Sequence, residues 1–191
     1  MTKFLHKAQQ GFTLIELIVS VAIFAIVMTA VAAAYLNLIN IDRQTRGTND
    51  LVNNLSFGLD SMSRGIRTGT QYECAANPVA PNCATIPSST FSYVNSSGQQ
   101  VTYLLGTGAN VGQIGECTGI IGSTCSVATA TYFTDPRIKV TSLAFYVSGV
   151  GAGDTLQPRV TFTIHGTLST GPTSTVTFTT QTTATERGID I

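Results

Sequence analysis

Between Leu17 and Ile39 the chain runs without a single charge: LIVSVAIFAIVMTAVAAAYLNLI. As an α-helix this run extends roughly 35 Å at about 1.5 Å per residue, enough to cross a hydrocarbon core about 30 Å thick. It leaves the remainder of the 191 residues for one globular head of ordinary size. Residues 1–11, MTKFLHKAQQG, contain Lys3, His6 and Lys7 and no acidic residue. Positive charge before a span keeps that end in the cytoplasm, so the head is expected outside, on the far face of the cytoplasmic membrane.

Glu16 stands where the apolar stretch begins. An acidic side chain at the centre of a span costs about 2.5–3.5 kcal/mol on insertion scales; nearer the end it costs less, but an intramembrane carboxylate still reads as functional and seeks a cation. A cut immediately before Phe12 would create an α-amino group about one helical turn from Glu16, where the two charges pair within or between subunits.

The string Gly11-Phe12-Thr13-Leu14-Ile15-Glu16, after a short basic leader and before an unbroken apolar helix, resembles the prepilin motif of type IV pilins and type II secretion pseudopilins at all six positions. The resemblance covers residues 1 to about 40. It implies cleavage between Gly11 and Phe12 by a membrane-embedded aspartic prepilin peptidase, N-methylation of the Phe12 amine, and pairing of Glu16 with a neighbour's N-terminus as subunits leave the membrane for a filament. The implied partners are other pilin or pseudopilin subunits, the peptidase, an inner-membrane assembly platform and the membrane itself. Two other readings compete. An ordinary secretory signal could be cut after Ala30-Val31-Ala32 or Ala32-Ala33-Ala34, giving a mature terminus near Tyr35, but its apolar core would be long and Glu16 would go unexplained. The segment could also be a plain uncleaved anchor.

Beyond Ile39 the apolar residues Leu51, Leu55, Leu59, Met62 and Ile66 recur at helical spacing on one face. The helix is therefore expected to continue as an amphipathic half over residues 40–69, with a break or kink near Gly47, Arg64 and Arg67 suiting its C-terminus and Gly69 ending it. Over residues 70–191 the pattern turns to strand. Residues 91–95 and 100–105 flank Ser96-Ser97-Gly98-Gln99 as a hairpin. Residues 159–165 and 175–183 alternate, the latter dissolving into threonines. In 138–147 the apolar phase slips between Val140 and Leu143, which predicts a β-bulge. Residues 149–154 and 167–173 read as turns. The expected fold is α+β, pilin-like: a leader (1–11), a hydrophobic helix half (12–39), an amphipathic half (40–69) packed on an antiparallel β-sheet head (70–191). The three C-terminal strand stretches resemble the J-type minor pseudopilins; Ala33, where many major pilins carry a kinking proline, and the lack of an acidic calcium loop fit a minor subunit.

Charged residues make up 10% of the chain and the formal net charge is zero, so there is no basic field for nucleic acid. Cys74, Cys83, Cys117 and Cys125 lack histidine at metal-ligand spacing and suit an oxidising compartment. Four cysteines allow three pairings; the local one, Cys74 with Cys83 and Cys117 with Cys125, is favoured. The glycine-rich 104–112 stretch has the wrong spacing for a dinucleotide turn. His165, on the polar face of a strand, gathers no catalytic set, and Asp135 and Asp154 read as turn residues. Neither cofactor, metal nor enzymatic activity is expected. The leading expectation is a structural subunit of a pilus or pseudopilus. A tip-displayed adhesive or DNA-uptake head is the first alternative, and a secreted or anchored enzyme the second.

Overall fold

The computed structural model describes residues 11–74, 83–150, 155–169 and 175–187. The leader, apart from Gly11, and Asp154 lie outside the described residues. The chain divides into two compact units, Met1–Gln44 and Thr45–Ile191.

Helix α1 (Leu14–Thr68) takes in both the apolar run and the amphipathic stripe. The break expected at Gly47 is absent: α1 continues through Gly47-Thr48-Asn49-Asp50. Glycine in a helix interior costs about 1 kcal/mol, whereas burying a leucine contributes about 1.5–3 kcal/mol, and Leu51 and Leu55 just beyond are both buried. Within the second unit Leu51, Leu55, Met62 and Ile66 are buried and Leu59 packs against the same core. Arg64 pairs with Asp60 at 2.6 Å one turn earlier, and Arg67 lies in the last turn, where a cation is favourable.

Gly69 follows the helix, donating its N–H to the Ile66 carbonyl at 3.1 Å, but for a reason other than the one expected. The left-handed residue here is Gln71, at φ 53°. Gly69 is glycine because a β-carbon there would run into the ring of Tyr93.

Among the described residues the head holds two antiparallel sheets. The first, in the order β1-β2-β3-β4-β5, comprises β1 (Thr70–Glu73), β2 (Phe91–Val94), β3 (Gln100–Leu105), β4 (Ile114–Gly119) and β5 (Thr131–Tyr132); the second, in the order β6-β7-β8, comprises β6 (Ile138–Ser148), β7 (Arg159–Ser169) and β8 (Thr175–Thr185). The β2–β3 hairpin forms where its sequence places it: Asn95 Oδ1 accepts from the Ser97 and Gln99 N–H groups, each at 3.0 Å, and Gly98 takes φ 74°. The phase slip in 138–147 is a bulge, with the β6–β7 register shifting between Val140 and Ser142; the extra residue lets Ile138 and Val140 share a face with Leu143, Phe145 and Val147, all buried.

Three strands, β1, β4 and β5, escaped the sequence. β4 reads IGECTG, its alternation diluted by glycine, yet Gly115 is needed because a β-carbon there would press on the Tyr132 ring at 2.9 Å. The turn expected from residue 167 begins later, since β7 runs to Ser169 and pairs with β6 and β8 along that length.

One core joins both sheets and the helical stripe. Its spine is aromatic: Phe91 packs on Phe145 with ring centroids 5.3 Å apart, and Phe145 on Phe162 at 6.0 Å, distances at which aromatic pairs add about 0.5–1.5 kcal/mol beyond burial. The fold is α+β: a long N-terminal helix whose amphipathic part packs against antiparallel sheets.

Candidate processing and assembly segment

Thr13 starts α1. Its hydroxyl oxygen accepts the Glu16 backbone N–H at 3.4 Å and its carbonyl accepts the Leu17 N–H at 3.2 Å, which makes it the N-cap. Thr13 and Glu16 thus have the Thr-x-x-Glu spacing of a capping box, and Glu16 sits in the first turn, where the helix dipole favours negative charge. That local role for Glu16 went unread in the sequence, although the four-residue pattern carries it.

Gly11 immediately precedes this turn. A β-carbon at Gly11 would meet nothing within 4 Å among the described residues. Phe12 is 79% exposed.

From Leu14 onward the apolar face is the whole surface. Leu14, Ile18, Ile23, Phe24, Val31 and Leu36 are all exposed, and the most apolar 18-residue window has a mean hydropathy of 2.7 with none of it buried. Hydroxyls within the run are satisfied internally, Ser20 donating to the Leu17 carbonyl at 2.9 Å and Thr29 to the Ile26 carbonyl at 2.8 Å. A bilayer requires that satisfaction of polar groups within the segment.

In the head, disulfides join Cys74 to Cys83, with Cα atoms 6.2 Å apart, and Cys117 to Cys125 at 5.7 Å. Cys117 lies on β4. Cys83 leads into a segment that lies along β6, its N–H donating to the Val147 carbonyl at 3.1 Å. His165 is exposed on β7, its Nδ1 2.9 Å from the Thr179 hydroxyl. Asp135 is engaged by the Arg137 guanidinium at 2.8 and 3.0 Å, which holds its carboxyl below the usual carboxylate range. The glycine-rich stretch after β3 forms a short 3-10 turn, Gly108–Asn110, and leads into β4. Among the described residues no group of three or more His, Cys, Asp and Glu side chains is placed to hold a metal.

No curated protein and no solved structure matches this chain. Residues 6–32 match the family model described as the prokaryotic N-terminal methylation motif. That match supports a type IV pilin-like or pseudopilin protein, processed by prepilin peptidase and assembling with other pilin subunits. The segment from the leader through the exposed apolar half of α1 thus carries the N-terminal methylation motif of prepilins.

Proposed function

We propose that this chain is a minor pilin or pseudopilin: a structural, non-catalytic subunit cut between Gly11 and Phe12, N-methylated on Phe12, and drawn from the cytoplasmic membrane into a filament. The observation that carries the reading is the methylation-motif match over residues 6–32, which takes in Gly11, Phe12 and Glu16.

Assembly follows from the surface of the apolar half of α1. Its exposed side chains are covered by lipid before extraction and by the equivalent helices of neighbours afterwards. Glu16 and the new amine of Phe12 set the register between subunits, at the cost of desolvating both charges. The disulfide-bearing head faces the oxidising side. Ala33 and the likeness of the C-terminal strands to J-type minor pseudopilins favour the minor role.

The test is mass spectrometry of the mature N-terminus. A methylated phenylalanine at position 12 is expected, together with accumulation of full-length chain in a Gly11→Val variant. A terminus near Tyr35 overturns the reading.

A further inference from the structure

Among the described residues the two sheets of the head end in four strand edges, and three are blunted. β1 has four residues, a register shift, a positive φ at Gln71 and a charge at Glu73. β5 has two residues. β6 carries Lys139 and a bulge, and the segment after Cys83 covers part of it: Ser88 and Phe145 exchange backbone hydrogen bonds of 3.0 and 2.8 Å.

The fourth edge is β8. It runs for 11 residues, TVTFTTQTTAT, in unbroken register with β7, without charge, proline or glycine. Its many β-branched threonines hold it extended. Among the described residues nothing hydrogen-bonds to its outer edge. Natural sheets protect exposed edges with lysine, proline, bulges or brevity, and β8 has none of these. A long, regular, uncharged edge is one that another strand extends.

We infer that β8 pairs antiparallel with β8 of a second copy of this chain, about a two-fold axis through Thr180, so that the two three-stranded sheets become one. In that register Thr177 faces Thr183 of the other copy, Thr175 faces Thr185, Val176 faces Ala184 and Thr179 faces Gln181. Threonine pairs are favourable across strands, and β7 and β8 already contain one, with the Thr161 and Thr183 hydroxyls 3.0 Å apart. No like charges meet.

A second copy suits this edge better than an unlike strand for two reasons. An uncharged edge offers no charge to select a charged partner, and the copy matches it in length and regularity so that every residue is paired. The area also points this way. One strand edge buries less than the about 1,000 Å² that a stable interface needs, so the contact suits copies already held together, as anchoring in one membrane would do by raising effective concentration. This last step rests on the membrane-anchored reading; the edge itself does not.

The test is cysteine crosslinking of the full chain in its own membranes. Both native cysteine pairs are bridged and no free cysteine is described, so Thr180→Cys supplies the one new thiol. Across the axis its β-carbons lie about 4.5–5.5 Å apart. Mild oxidation should give a homodimer as the main species, identified by mass spectrometry, and adding Gln181→Lys, which places an ammonium group on either side of the axis, should reduce it at least fivefold. Co-expressed Thr177→Cys and Thr183→Cys chains, both altered on the exposed face, should crosslink to each other in the same register. Thr180→Cys chain that stays monomeric while its thiol reacts with maleimide, a crosslink to a different protein, or a dimer indifferent to Gln181→Lys overturns the proposal. A crosslink that survives when the mature terminus proves to lie elsewhere upholds the edge and sinks only the processing reading.

Discussion

The hydroxyls of Tyr93 and Tyr103 lie 3.3 Å apart where α1 passes over the first sheet at Gly65. A β-carbon at Gly65 would meet the Tyr93 hydroxyl, and one at Gly69 would meet the Tyr93 ring. The hydroxyl can be removed, but the ring is held between Phe91 and Tyr103, with centroids 6.0 and 5.9 Å away. Gly69→Ala should therefore cost about 1–3 kcal/mol, as overpacking does. Gly65→Ala should cost less, because alanine recovers up to about 1 kcal/mol of helix propensity. Tyr93→Phe should relieve Gly65→Ala and leave Gly69→Ala unrelieved; urea unfolding of the parent, the three single variants and the two double variants checks this.

Burial pushes the phenols of Tyr72, Tyr93 and Tyr103 above their ordinary value of 10.0. For Tyr72 the nearby Glu186 carboxylate adds to the effect. Because the folded state holds the neutral form, their contribution to stability is complete below pH 10 and is lost as pH rises beyond it toward the folded values. Phenolate absorbance from these three should therefore appear together with loss of circular dichroism. Ionisation at pH 10 with the fold intact would show that they are not sealed in.

The Asp135 N–H donates to Asn54 Oδ1 at 3.0 Å, tying the start of β6 to the helical stripe, while the Asp135 carboxylate pairs with Arg137. The carboxyl is held below its ordinary 3.8 first by the hydrogen bonds from the Arg137 side chain. With the folded value depressed, the stabilisation is present above the ordinary carboxylate range and fades as pH falls through the folded value. Arg137→Met should flatten the stability profile below about pH 4. Asn54→Ala should instead cost about 1 kcal/mol across the pH range. Denaturation midpoints at several pH values separate the two.

Cys117 and Cys125 are 8 residues apart and Cys74 and Cys83 are 9 apart, so loop entropy assigns each bridge about 2.5 kcal/mol. The loss should be greater for Cys74→Ser with Cys83→Ser, because the segment from Cys83 to Ser88 also caps the edge of β6. Thermal unfolding of both double variants measures the difference.

The first-turn position of Glu16 in α1 and its proposed pairing with an N-terminus can be separated. Thr13→Ala removes the N-cap at about 1 kcal/mol but keeps the carboxylate. Glu16→Ala removes the charge. If Glu16 acts by pairing with an N-terminus, Thr13→Ala should assemble almost normally, whereas Glu16→Ala should be processed largely as the parent chain is and fail to assemble. Quantitative recovery of each protein in sheared filaments decides; equal incorporation of Glu16→Ala counts against the charge pair.

Much of this was legible because it is written in local patterns. The apolar run, the Leu51–Ile66 stripe, the Ser96–Gln99 turn and the slip at Thr141 each follow from period and phase within a few residues of chain. The break expected at Gly47 does not form, for the opposite reason: its local cost is real but is outweighed by burial of leucines that face a core formed by distant strands. The strand at 114–119 was hidden because Gly115 answers to the Tyr132 ring, a neighbour supplied by the fold.

By itself, then, the sequence carried the N-terminal motif, because the expectations for Gly11, Phe12 and Glu16 rest on composition, charge and spacing along one helix, and the methylation-motif match covers all three. The tertiary structure decided the head: that its described strands divide into two sheets, that Gly65 and Gly69 make room for Tyr93, and that among the described residues β8 is left with its outer edge unpaired. Those outcomes depend on which residues meet across long loops, and side-chain volumes and backbone hydrogen bonds select such meetings only once the chain has closed on itself.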